Sequence, residues 1–256
     1  IVETTSPKGF DPDPRTRRGI LDVVAGPAQP GAKAIVSEQG EIVETRVLVG
    51  TIYVNRASVA QERGGLEEAE GLFALGQSFA TSPRMRRVLA DQRAALLAQL
   101  AADDVLSEDP NRFSRVYETS KAAARLEPRD PTVQRAVFQN LRAAAERVIG
   151  ALAERGDEAG LVAIAGEAAA EGLSPADRSG LRAFALSEVA RVRMGHAAYD
   201  AAIEAIELAL REQLGARDQE LRRILLSNRI AASRLAAIRA AEAGDLSAAE
   251  AYLKNA

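Results

Sequence analysis

Breaks in an otherwise helical pattern recur along the chain from Glu44 onward, and they constrain the fold more than any other feature. The segments between breaks carry apolar residues three and four positions apart, which is the spacing of an amphipathic helix. The breaks alternate between a glycine-centred turn and a proline-centred one, so the helices are predicted to pair into five hairpins. The breaks are RGG at 63–65, TSP at 81–83, EDPN at 108–111, EPRDP at 127–131, RGD at 155–157, GLSP at 172–175, MGH at 194–196, LGARD at 214–218 and AGD at 243–245.

The N-terminal stretch differs from this pattern. Residues 1–43 are rich in proline and glycine and show no helical periodicity, so we expect an irregular arm with short extended pieces at Ile1–Thr4 and Ala34–Ser37. Residues 44–256 form the predicted helical repeat domain. Its core should be aliphatic, because aromatic residues make up only 4% of the chain and tryptophan is absent.

Residues 51–83 carry the clearest hairpin pattern. Small or aromatic residues stand where two antiparallel helices approach closely, and small side chains permit that approach. These positions are Tyr53, Ala57, Gly64, Ala69, Phe73 and Gly76. Four looser matches follow. The first has Val116, Ser120, Ala123 and Pro128 at the corresponding spacing, and the second is the segment that turns at Gly156. The third has Ala202, Ile206 and Ala209 after a turn at Gly195, and the fourth has Ala249 and Leu253 after a turn at Gly244.

This pattern resembles the tetratricopeptide-repeat (TPR) family over about residues 44–256. The resemblance implies an all-α fold, a right-handed α-solenoid of about five TPR-like hairpins, in which the first helix of each hairpin lines a concave groove. It also implies an interaction scaffold that binds a peptide or protein partner in that groove. Because the sequence stops at Ala256 inside a predicted helix, we expect a further capping segment to follow in the parent protein.

Composition excludes several kinds of site. The chain has no cysteine and a single histidine, His196, so it offers no thiolate, no multi-histidine metal site and no triad other than one built on that residue. We therefore predict no metal and no cofactor. The net charge of −3 gives no reason to expect nucleic acid, and no apolar stretch is long enough to span a membrane. Basic residues are mostly arginine, which favours a bacterial source. The compartment would then be the cytoplasm or the periplasm.

The opening stretch ETTSPKGFD suggests a second interpretation. It resembles the C-terminal end of transglutaminase-like domains, cysteine hydrolases in which an acidic residue on a strand completes a Cys-His-Asp triad. The resemblance implies that Glu3 is a triad remnant and that the chain is the accessory part of a cysteine peptidase or amidase. The catalytic Cys and His would then lie upstream, so this chain is not expected to be catalytic alone.

Two other motifs have structural explanations. His196 follows a turn glycine, so we expect a solvated or capping residue rather than a catalytic one. Asp157 ends an RGD sequence but stands where a helix should begin, so we interpret it as a helix cap rather than part of an adhesion motif.

Charge is segregated between the two helices of each predicted hairpin. Summed over the five hairpins, the first helices are net basic and the second helices are net acidic, which predicts a basic groove for an acidic partner. We expect most arginines of this groove to have no carboxylate of the same chain within salt-bridge distance. The alternative is that they pair with glutamates on neighbouring second helices. The candidate groove residues are Arg87, Arg142, Arg182, Arg223, Arg229, Asn55 and Asn228.

Overall fold

A computed structural model describes residues 35–36, 42–43, 45–80, 82–105 and 109–254. This part of the chain is all-helical apart from one short pair of strands, as the sequence predicts. Glu3 and the extended piece expected at Ile1–Thr4 lie outside the described residues. The α-helices are α1 (Thr45–Glu62), α2 (Leu66–Phe79), α3 (Pro83–Val105), α4 (Pro110–Arg125), α5 (Pro131–Glu154), α6 (Glu158–Ala170), α7 (Pro175–Gly195), α8 (Tyr199–Arg211), α9 (Gln219–Glu242) and α10 (Leu246–Lys254).

Two short strands precede the helices. Strand β1 (Ile35–Val36) pairs antiparallel with β2 (Ile42–Val43), and Ile35 stands opposite Val43. The first strand falls within the predicted extended piece at Ala34–Ser37. The second strand was not predicted.

Several helices begin at predicted breaks that carry a capping residue. Asp130 accepts hydrogen bonds from the backbone N–H groups of Thr132 and Val133, and Pro131 occupies the first turn, where its missing N–H costs nothing. Asp157 accepts a hydrogen bond from the backbone of Gly160 at 2.9 Å and so caps α6, which confirms its interpretation as a cap. Local sequence therefore sets the helix boundaries.

The helices fall into two compact units, one up to Leu96 and one from Leu97. In the first unit α1 packs against α2. Its core is built from small and aliphatic side chains around one aromatic ring. The buried residues of this cluster are Ala57, Ala60, Ala69, Phe73, Ala80, Leu89 and Leu96.

In the second unit each helix packs against the next one along the chain, from α4 to α10. Two further contacts skip a helix, since α5 packs against α7 and α7 against α9. The first helices α5, α7 and α9 therefore contact one another in order, and the second helices α6 and α8 are each held between their own first helix and the next.

Four of the turns that join a first to a second helix share one backbone feature. The chain takes a positive φ angle at Gly64, Gly156, Ala197 and Gly244. The prediction that the third of these turns centres on Gly195 is wrong. Gly195 is the last residue of α7, and Ala197 adopts the left-handed conformation with φ of 56°. We call these four positions the turn residues.

Counting from the turn residues gives one pattern of burial. The fifth residue after each turn is buried, and so is the seventh residue before it. The ninth residue after the turn is buried in three hairpins and exposed in the last. The buried positions are Ala57, Ile149, Ala190 and Ala237 before the turns, and Ala69, Leu161, Ala202 and Ala249, then Phe73, Ala165 and Ile206, after them.

Candidate interaction surfaces

Arg142, a predicted groove residue, lies instead at the centre of a buried ion cluster. Only 4% of its side chain is exposed. Its Nε donates to Glu146 Oε1 at 2.8 Å, its Nη1 donates to Asp177 Oδ1 at 2.9 Å, and its Nη2 donates to Asp218 Oδ1. One guanidinium therefore ties α5 to the first turn of α7 and to Asp218, which ends the short 3₁₀ turn Ala216–Asp218 before α9.

Gly180 makes room for this cluster. A Cβ atom at that position would lie 2.5 Å from Asp218 Oδ2 and 2.9 Å from Arg142 Nη2. Ser174, the N-cap of α7, accepts a hydrogen bond from the backbone of Asp177 and donates its hydroxyl to Asp177 Oδ2 at 2.6 Å. Ser174 thus holds the Asp177 carboxylate in position to accept the hydrogen bond from Arg142.

The ionisation of the cluster follows from its hydrogen bonds. Burial alone would lower the pKa of Arg142, but the hydrogen bonds to Asp218, Glu146 and Asp177 outweigh burial and raise it. Burial alone would raise the pKa of Asp177, but the hydrogen bonds from Ser174 and Arg142 hold that pKa below its usual range. Both groups stay charged and satisfied by one another, so Arg142 is not available to an external carboxylate.

Two more candidate arginines have acidic neighbours within the chain. Arg223 Nη1 lies 2.7 Å from Glu220 Oε2 on the same helix, and Arg182 Nη1 lies 3.9 Å from Glu212 Oε1. The expectation that most candidates lack an intrachain carboxylate is therefore wrong for Arg142, Arg182 and Arg223. Arg182 and Arg223 remain exposed, and exposed pairs of this kind contribute only about 0 to 1 kcal/mol.

The remaining candidates are divided between the two units. Arg87 is exposed in α3 of the first unit and has no ion pair among the described residues. In the second unit, Nε of Arg229 is buried without a hydrogen-bond partner among the described residues. Asn55 is exposed on α1, and Asn228 is partly buried on α9.

Arg229 lines a cleft of about 350 Å³ between α8, α9 and α10. The cleft holds two acidic residues besides this arginine, and the hydroxyl of Tyr252 donates to Asp200 Oδ1 across it. Its charges are mixed, so it is not part of a basic groove. The lining residues are Asp200, Ile203, Glu207, Arg229, Ser233 and Tyr252.

Ion pairs between helices account for much of the charge segregation. Arg93 of α3 donates to Glu70 of α2 at 2.6 Å, and Arg193 of α7 donates to Glu158 of α6 at 3.0 Å. Each pair joins a first helix to the second helix of the preceding hairpin. The alternative interpretation of the charges, that they link adjacent helices, is thus observed at these sites.

A row of ion pairs connects the second helices α4 and α6. Lys121 of α4 is buried and donates to Glu118 on the same helix at 3.0 Å and to Glu167 on α6 at 3.2 Å. Burial lowers the pKa of Lys121, but these hydrogen bonds outweigh it and raise the pKa above its usual value. Arg125 and Glu171 continue the row at 2.6 Å. These charges stabilise packing between helices.

An exposed apolar surface on α9 and α10 was not predicted. Apolar residues occur on several sides of α9, more than a single core-facing stripe requires, and that is the sequence signal for it. On α10 two leucines are also exposed. The exposed apolar residues of this region are Ile224, Leu226, Ile230, Leu235, Ile238, Leu246 and Leu253.

No catalytic centre emerges among the described residues. His196 is exposed at the C-terminal end of α7, and its backbone N–H donates to the last turn of that helix. The described part of the chain contains no group of three or more His, Asp or Glu side chains arranged to hold a metal ion. None of its helices is long and apolar enough to cross a bilayer.

Comparison with known proteins returns no match. No protein-family model, no curated protein and no solved structure is similar to this chain.

Proposed function

We propose that this chain is a TPR-like, right-handed helical solenoid that serves as an interaction scaffold. It binds a protein or peptide through exposed surfaces of its first helices, and it performs no catalysis itself. The observation that carries the proposal is the shared turn geometry and burial pattern of four hairpins. A repeated hairpin that cannot bury its apolar face alone stacks on its neighbours, and such stacks present extended binding surfaces.

The pattern of helix contacts supports the same proposal. In the second unit, each first helix contacts its own second helix, and α5, α7 and α9 contact one another in order. The second helices α6 and α8 are each held between two first helices. This arrangement of neighbours is the one that stacked helical hairpins require, because each hairpin contacts only the hairpins beside it.

The proposed binding face lies on the first helices α7 and α9. It carries the exposed side chains of Arg191 on α7, and of Leu235 and Ile238 on α9. Basic and apolar groups together suit a partner with both acidic and apolar side chains. Since Arg142 is buried, the basic character of this face is weaker than the sequence predicts.

Site-specific photo-cross-linking in the source cell tests this proposal. A photoreactive phenylalanine replaces Arg191, Leu235 or Ile238 on the first helices, or Val162 or Leu208 on the second helices as matched exposed controls. The first-helix positions should cross-link to one common protein, whose purified form then binds the unmodified chain. Scattered adducts of equal yield from both sets, or no adduct at all, would contradict the proposal.

A further inference from the structure

The cleft between α8, α9 and α10 holds two opposite charges that do not pair. Arg229 of α9 and Glu207 of α8 both line it. Among the described residues, neither side chain forms an ion pair or a hydrogen bond. A cation and a carboxylate therefore share one cavity without neutralising each other.

Elsewhere in the chain, charges in the same arrangement pair directly. Arg93 of α3 donates to Glu70 of α2, and Arg193 of α7 donates to Glu158 of α6. In both cases an arginine of a first helix meets a glutamate of the second helix before it. The two charges of the cleft have the same relation, since α9 is the first helix that follows α8. An opening of about 350 Å³ lies beside them in place of a direct pair.

Arg229 leaves the outer end of its guanidinium available. Its Nε is buried without a partner among the described residues, whereas its two Nη atoms are neither buried nor hydrogen-bonded there. Packing thus holds the inner part of the guanidinium against the wall of the cleft. The two terminal nitrogens present N–H donors side by side, and a carboxylate is a group that accepts from both.

The acidic residues of the cleft suit an ammonium group. The hydroxyl of Tyr252 donates to Asp200 Oδ1, and this hydrogen bond raises the pKa of Tyr252, so the phenol keeps its proton. Glu207 makes no such bond among the described residues. Two carboxylates against one guanidinium give the cleft a net negative charge. That charge disfavours a phosphate or a dicarboxylate and favours a ligand that carries a cation of its own.

The cleft lies between the fourth and fifth hairpins, and its opening does not depend on where the stack of hairpins ends. The residues of α8 that line it stand three, six and ten positions after the turn residue Ala197. The same positions of α6 are exposed although two further hairpins follow that helix, and Val162 among them is 54% exposed. This side of a second helix thus stays open inside the stack. The α6 residues are Ala159, Val162 and Gly166.

We propose that this cleft binds a free aliphatic α-amino acid. The carboxylate of the ligand binds Arg229, its ammonium lies beside Glu207 and Asp200, and its side chain lies against Ile203. The volume of the cleft is near the lower end of the range of small-molecule sites, about 300 to 1,000 Å³, so the ligand is a small molecule rather than a helix or a loop. The proposal goes beyond the scaffold function, because none of the residues that line the cleft belongs to the proposed binding face.

A binding experiment with three related probes tests the amino-acid site. The probes are L-leucine, N-acetyl-L-leucine, which lacks the ammonium, and L-leucinamide, which lacks the carboxylate. NMR titration of the ¹⁵N-labelled chain measures the Kd of each probe and locates the perturbed amides, and circular dichroism establishes that each variant folds. The cleft variants are Arg229→Gln and Glu207→Gln, and the matched controls are Arg211→Gln and Glu204→Gln, which are exposed on α8 and do not line the cleft.

L-leucine should bind about tenfold more tightly than either derivative, because each derivative loses a hydrogen bond between charged groups. Its perturbations should centre on α8, α9 and α10. Arg229→Gln should remove the advantage of L-leucine over L-leucinamide, and Glu207→Gln should remove its advantage over N-acetyl-L-leucine. The two controls should leave all three Kd values unchanged.

Three outcomes would overturn the proposal. L-leucine may show no binding, as expected if Arg229 and Glu207 pair with each other in solution. It may bind no more tightly than its two derivatives. The cleft variants may leave its Kd unchanged, which would place the binding elsewhere. None of these outcomes would affect the cross-links expected from Arg191, Leu235 and Ile238, so the scaffold proposal and the amino-acid site fail separately.

Discussion

Arg142 and Asp218 form a buried ion pair although 76 residues separate them in the sequence. The pair joins the third hairpin to the turn that introduces the fifth, with Asp177 of the fourth hairpin on the same guanidinium. Each partner is about 95% buried, so each depends on the other for its charge to be tolerated.

Removing Arg142 should therefore destabilise the chain strongly. Arg142→Met leaves Asp218 buried without its counter-charge, and we expect a loss of about 3 to 5 kcal/mol in the free energy of unfolding. Urea unfolding monitored by circular dichroism measures this loss. The double variant Arg142→Met with Asp218→Ala should be more stable than Arg142→Met alone. A loss below about 1 kcal/mol, the range of exposed pairs, would show that the cluster is not a structural tie.

Two helical glycines offer a matched comparison around the same cluster. Gly180→Ala should destabilise the chain because its Cβ would lie 2.5 Å from the Asp218 carboxylate. Gly150→Ala on α5 should stabilise it by about 0.5 to 1 kcal/mol, because nothing lies within 4 Å of that Cβ and alanine favours the helix. Thermal unfolding of both variants measures the difference. Equal shifts of the melting temperature would contradict the geometry of the cluster.

The turn residues give a third prediction. Ala197 adopts a positive φ, which costs a residue with a Cβ about 1 to 2 kcal/mol, so Ala197→Gly should stabilise the chain by about 1 kcal/mol. Gly156→Ala at the equivalent turn should destabilise it by a similar amount. Nothing lies within 4 Å of a Cβ placed at Gly156, so that change reports the backbone conformation of the turn alone. A destabilised Ala197→Gly variant would contradict the shared turn geometry.

Asp177 predicts a dependence of stability on pH. Its pKa is lowered in the folded chain, so the unfolded chain binds the proton more readily. The stabilisation is fully present above the unfolded pKa of about 3.9 and is lost as pH falls through the lower folded value. The stability difference between the unmodified chain and Asp177→Asn should shrink below about pH 4. Urea unfolding from pH 7 to pH 3 checks this, with the exposed Glu204→Gln as control. A difference independent of pH would contradict the ion pair.

Helix boundaries were predictable from sequence because their causes are local. Asp130, Ser174 and Asp157 cap the helices that follow them, and proline or glycine stands beside each cap. The small and aromatic residues that pack the first hairpin were also predicted from local spacing. Ala57, Ala69 and Phe73 are buried as expected.

The surroundings of the arginine side chains could not be predicted in this way. Whether Arg142 faces solvent or a carboxylate depends on Asp218, which no local pattern connects to it. Ala197 presents the same difficulty, since its left-handed conformation is set by the packing of α7 and α8 rather than by its residue type. The exposure of Leu253 depends on whether a further helix covers it, and its own hairpin carries no signal of that.

The absence of cysteine from the sequence allows one direct test of the shared register. Single-cysteine variants at the ninth position after each turn, Phe73→Cys, Ala165→Cys, Ile206→Cys and Leu253→Cys, report burial through their rate of labelling by a thiol reagent under native conditions. Labelling in urea gives the rate of each exposed thiol. Leu253→Cys should react at close to its unfolded rate, and the other three should react at least a hundredfold more slowly, because the buried thiols must wait for the hairpin to open. Fast labelling at Ala165→Cys or Ile206→Cys in the folded chain, or protection of Leu253→Cys, would contradict the repeated hairpin on which the scaffold function depends.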